Sequence, residues 1–119
     1  AGSGSVRLTR LIGPARAKEL LFTAETISPE LALSLGLVNR VVEEGSALEA
    51  ARELASTIAA RGPLSNRLAK RLVDAAQDAP LDAVLSMSTV SQQQIFESDD
   101  LHGGVAAFLQ KRAPAFKGR

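Results

Sequence analysis

The chain contains no Cys, Trp or Tyr; its four Phe are its only aromatics, and it has one Met and one His. Without Cys there is no disulfide, no thiolate metal site and no Cys nucleophile, a composition at home in a reducing compartment. That places the protein in the cytoplasm, with the mitochondrial matrix as the alternative. Nor does it carry an excess of one charge: 14 basic against 13 acidic residues leave a formal +1, too little to draw the chain onto nucleic acid or a membrane surface. No apolar run is long enough to span a bilayer, and no charged segment followed by an apolar stretch marks a leader at the N-terminus. With a single His and scattered carboxylates, no set of metal ligands converges in the sequence.

What the 119 residues do contain is Ala and Leu at helical spacing, enough for one small, mostly α domain. Ala1-Gly-Ser-Gly-Ser5 has linker composition; as a phosphate cradle it lacks the Lys and the preceding strand. Val6, Leu8, Leu11 and Ile12 predict a short helix stopped at Gly13-Pro14, and Pro14 opens a second carrying Ala17, Leu20, Leu21 and Ala24.

Residues 27–42 are the most informative stretch. Ser28 is suited to an N-cap, Pro29 to the first helical position and Gly36 to a left-handed stop, after which Leu37 to Val42 reads as a short, mostly buried strand. Ser46 and Glu49 have capping-box spacing ahead of a helix with Leu48, Ala51, Leu54, Ala55, Ile58 and Ala59 inward. Gly62-Pro63 starts the next helix, with Leu64, Leu68, Leu72, Val73 and Ala76.

Asp78-Ala-Pro80 breaks it, and a further helix runs from Leu81 to about Phe96. Its later Ser, Thr and Gln residues read as a solvated face, with close packing on a neighbouring subunit as the second reading. Ser98 caps a last helix with Asp99 and Asp100 in its first turn, where the helix dipole favours carboxylates; neighbouring helical residues point apart, so the two are not a catalytic pair. His102 reads as a surface residue, and Glu43-Glu44, Arg67, Lys70 and Arg71 as solvated charges, with a basic edge for an acidic ligand as the alternative for the last three. The sum is six or seven short helices and at most one short strand.

Three segments resemble the crotonase family, the enoyl-CoA hydratases and isomerases. Arg7 to Leu20 (RLTRLIGPARAKEL) is similar to that family's G-G-T-Q-R-L-P-R-L-I-G run. Residues 27–42 resemble its S-x-x-E-A-x-x-x-G-L-V-x-x-V segment, and Ser98 to Gly118 its ending S-x-D-x-x-E-G-x-x-A-F-x-E-K-R-x-P-x-F-x-G. Their order and spacing make the match specific. Ser3, Ser5, Val6 and Gly103 depart from the pattern.

The resemblance implies the helical, C-terminal trimerisation part of a crotonase-like fold, with residues 1–25 as the end of the spiral core and 26–119 as the C-terminal helical region. It implies an enzyme adding water to a 2-enoyl-CoA to give a 3-hydroxyacyl-CoA. The family's two catalytic Glu and its oxyanion-hole amides would precede residue 1, so no catalytic residue is expected within the chain. No separate cofactor is implied, acyl-CoA being the substrate, and the intact assembly would be a homotrimer or hexamer.

Three positions remain as site candidates. Phe108 would cover the adenine of CoA and Lys111 would pair with its phosphates, often from a neighbouring subunit. The Ala1 backbone N–H would help hold the water. On pattern alone, Phe108 reads as core packing and Lys111 as a solvated charge. An isomerase, a silent relative and a non-catalytic helical oligomerisation module are the alternative functions.

Overall fold

The computed structural model describes residues 2–119. Seven helices appear among them: α1 (Gly2–Ile12), α2 (Pro14–Thr23), α3 (Pro29–Ser34), α4 (Ala47–Ala59), α5 (Pro63–Ala75), α6 (Leu81–Phe96) and α7 (Asp99–Leu109). The expectation of a mostly α chain holds. Helix α1 begins at Gly2, so the Gly/Ser stretch read as a linker is its first turn, and Thr9 Oγ1 donates to the Ser5 carbonyl 2.8 Å away. The helices gather into two units that meet in sequence between Leu48 and Glu49.

In the first unit α1 packs on α2 across Gly13. The φ of +80° at Gly13 reverses the chain; its N–H donates to Thr9 O at 2.9 Å and its carbonyl accepts from Ala17 N at 3.1 Å. Ala17 is buried there, and Leu8, Ile12 and Leu20 are half-buried. Helix α3 carries the caps its sequence foretells. Ser28 Oγ accepts from Leu31 N at 3.1 Å, and Pro29 takes the first helical position, where its missing N–H costs nothing.

Gly36 adopts φ +74°. Its N–H reaches Leu33 O and the N–H of Leu37 reaches Ala32 O, a Schellman stop. The strand expected after it does not form: there is no strand among the described residues, and Val38, Val41 and Val42 are exposed. A strand exists only through pairing with a neighbour, and these residues have none here.

In the second unit α6 packs against both α5 and α7. Asn66 Nδ2 donates to the Ile58 carbonyl at 3.1 Å and ties the first turn of α5 to the end of α4. The inward face expected of α4 is open instead: Leu48 and Ile58 are exposed. Helix α6 meets the expectation of a solvated face in part: Ser86, Thr89, Gln92, Gln93 and Gln94 are exposed. Val84, Met87, Ser88, Ser91 and Ile95 form its half-buried stripe, whereas Leu81, Leu85, Val90 and Phe96 are exposed. Two of the residues read as solvated, Ser88 and Ser91, thus share that stripe with large apolar ones. The fully buried apolar residues among those described are Ala17, Leu68 and Ala107. No helix among the described residues is long and apolar enough to cross a membrane.

Candidate functional site

The second unit is organised around the start of α7. Like any helix, α7 opens with backbone N–H groups that lack partners within it. Ser98 meets one of them: its Oγ accepts from Leu101 N at 3.2 Å and donates to the Ile95 carbonyl at 2.7 Å, joining the end of α6 to the beginning of α7. The N–H of Asp100 is met from far along the chain by the Arg119 carbonyl at 3.1 Å.

The Asp100 side chain answers in the same direction. Oδ1 accepts from Lys117 N at 2.6 Å and Oδ2 from Gly118 N at 2.7 Å. Both oxygens of a carboxylate that is only 8% exposed are therefore satisfied by consecutive backbone amides. Gly118 has φ +79°, a conformation that favours glycine, and packs on the Pro63 ring. Asp99 points elsewhere, as adjacent helical positions must, and stands 3.8 Å from the Arg119 guanidinium on the surface.

These bonds lay residues 116–118 across the second unit and place the Phe116 ring over Gly104 and Gly62. A Cβ at Gly104 would meet Phe116 Cε1 at 3.3 Å. Beside the ring lies a cleft of about 390 Å³. Its apolar wall is Leu101, Val105, Phe108 and Phe116, and Ser65, Ser98 and Asp100 are its polar lining.

Phe108 is 82% exposed on the rim of this cleft and does not pack into a core among the described residues. Lys111 lies just past the end of α7 and does not line the cleft. Its φ is +52°, and together with Arg112 it forms a Schellman stop: Lys111 N bonds Phe108 O at 3.1 Å and Arg112 N bonds Ala107 O at 3.0 Å. A lysine here costs about 1 kcal/mol relative to glycine. Ala1, the third candidate, lies outside the described residues.

The other polar candidates form no site. His102 is exposed, with Nδ1 2.9 Å from the Ser98 carbonyl. Lys70 pairs with Asp74 at 2.9 Å, a surface contact along one helix face. Arg71 borders a separate cleft with Met87 and Val90. Among the described residues, no group of three or more His, Cys, Asp or Glu side chains could hold a metal ion.

Sequence reasoning passed over Asp100 and Phe116 as functional residues. The Asp100 contacts join positions 17 and 18 residues apart in the chain, and no helical period reports such a contact.

Comparison with known proteins points one way. The model of the family described as "Enoyl-CoA hydratase/isomerase" matches residues 1–119. A short-chain-enoyl-CoA hydratase of Clostridium acetobutylicum is 34% identical over 117 residues, covering 98% of this chain and 45% of the relative. A probable mitochondrial enoyl-CoA hydratase 2 of Arabidopsis thaliana is 36% identical over 115 residues, 97% of this chain and 38% of its own. Among solved structures, an enoyl-CoA hydratase of Bacillus anthracis superposes with a TM-score of 0.92 at 39% identity, covering 98% of this chain and 45% of that one. The chain thus spans less than half the length of these relatives.

Proposed function

The chain belongs to the enoyl-CoA hydratase/isomerase family, and on that premise we propose that it serves an enzyme that hydrates a 2-enoyl-CoA to a 3-hydroxyacyl-CoA. In that reaction water adds across the C2–C3 double bond, the proton going to C2 and the hydroxyl to C3. The match of the family model to all 119 residues carries the reading. The hydratase names of the curated relatives favour hydration over isomerisation.

The part assigned to this chain is to hold the CoA moiety, while the acid–base chemistry falls to carboxylates supplied outside it. Phe108 presents an exposed aromatic face for a purine, and Lys111 is a cation one turn further along for a phosphate. Residues 1–25 would then close the spiral core and 26–119 form the helical region. The exposed apolar residues of α4 and α6 supply the kind of surface a homotrimer or hexamer buries. The protein would work in a reducing compartment.

The test is a spectrophotometric assay of the full-length protein with crotonyl-CoA, with a 3-enoyl-CoA run in parallel. Loss of the conjugated thioester absorbance with formation of 3-hydroxybutyryl-CoA is the expected result. Turnover of the 3-enoyl substrate alone would make the enzyme an isomerase, and turnover of neither would overturn the reading.

A further inference from the structure

We propose that Asp100 is a positioning residue for the CoA-binding cleft, acting through the segment it fastens. This rests on the hydratase reading and adds to it a residue that does not touch the ligand. Asp100 is within hydrogen-bond distance of two consecutive amides, Lys117 N at 2.6 Å and Gly118 N at 2.7 Å, while its own N–H bonds the Arg119 carbonyl at 3.1 Å. Three hydrogen bonds from one residue therefore fasten a segment that has no secondary structure of its own.

That segment carries Phe116, which lies over Gly104 and Gly62 and forms one wall of the cleft bordered by Phe108. Without Asp100, the amides of Lys117 and Gly118 lose a charged acceptor at a part-buried position. Water would then compete for them, the segment would lift, and the Phe116 part of the cleft wall would leave with it.

The pairing of Gly104 with Phe116 points the same way. A side chain at position 104 would push on the ring at 3.3 Å, whereas one at Gly103 would meet nothing within 4 Å. Helix α7 therefore carries a glycine on the side that receives the clamped ring, and Asp100 lies one turn before it on the same helix. The two features seat a single aromatic, and the space they leave beside it is the cleft.

The experiment compares full-length wild-type, Asp100→Ala, Asp100→Asn and Phe116→Ala proteins on two substrates. One is crotonyl-CoA; the other is the crotonyl thioester of N-acetylcysteamine, which lacks the nucleotide. Amide hydrogen exchange at Lys117 and Gly118 is followed alongside. Asp100→Ala is expected to raise KM for crotonyl-CoA about tenfold with kcat held, the size of effect one aromatic contact carries. The truncated thioester should be turned over as by wild type, protection at both amides should be lost, and Asp100→Asn should fall between.

Equal losses on both substrates, or a fall in kcat alone, would make Asp100 a general structural residue and overturn the proposal. If Asp100→Ala does not fold, Phe116→Ala carries the same kinetic test with the clamp intact, and an unchanged KM there overturns it. Wild-type protein inactive on both thioesters would instead bring down the hydratase reading, leaving the amide protection to report on the clamp alone.

Discussion

Phe108 shows how a residue's meaning changes between chain and fold. At helical spacing in an apolar stretch it reads as core, yet it stands 82% exposed, while its neighbour Ala107 is 0% exposed. Phe108→Ala should therefore change the unfolding free energy of the full-length protein, read from urea titration, by no more than about 0.5 kcal/mol, as surface substitutions do, and raise KM for acyl-CoA. A large loss of stability would mean the ring is packed against a part of the protein outside these residues. Lys111 makes the complementary case. Lys111→Gly should stabilise by about 1 kcal/mol by relieving the left-handed backbone, and weaken CoA binding at the same time; a gain in stability with unchanged KM would remove Lys111 from the site. The adjacent glycines of α7 separate on the same logic. Gly103→Ala, with open space around it, should gain about 1 kcal/mol of helix propensity. Gly104→Ala should forfeit that gain against the Phe116 ring, and equal midpoints for the two variants in a denaturant titration would contradict the packing described.

The elements divide by whether their signals are local. Ser28, Pro29 and Gly36 act within one turn of backbone, so the start and stop of α3 were readable, as was the Ser98 cap of α7. Gly36→Ala should cost about 1 kcal/mol, because alanine resists the φ of +74° that the Schellman stop requires; a variant with wild-type stability would show that the turn relaxes. Signals that depend on a partner failed. The valines after Gly36 have β propensity but no strand beside them. Helix α6 has apolar residues on more than one side, and period alone could not tell which side faces α5 and α7. The half-buried stripe mixes Ser88 and Ser91 with Val84, Met87 and Ile95, a mixture that no apolar period marks.

At the scale of the whole molecule, burial is sparse. Leu48, Leu81, Val90, Leu109 and many other large apolar residues are exposed, and the fully buried apolar set among the described residues is Ala17, Leu68 and Ala107. Helices of 6 to 16 residues are marginal without tertiary packing. The 119-residue chain by itself should therefore bind a hydrophobic dye, unfold over a broad denaturant range, or associate. A sharp, two-state transition of a monomer with no dye binding would overturn that expectation.

The sequence by itself determined the helices, most of their ends and the family resemblance, because caps, breakers and motif spacing act over a few residues and need no partner. Tertiary structure alone decided the clamp. Asp100 looks like any acidic residue in a first helical turn until the chain returns 17 residues later and offers it two amides. It also decided which residues border the cleft, since Ser65 lies outside the motif that carries Phe108 and Phe116, and no helical period joins the three. The physical reason is the same for both: a site assembled by long-range hydrogen bonds and by the approach of a ring to a glycine exists only after the chain has folded back on itself.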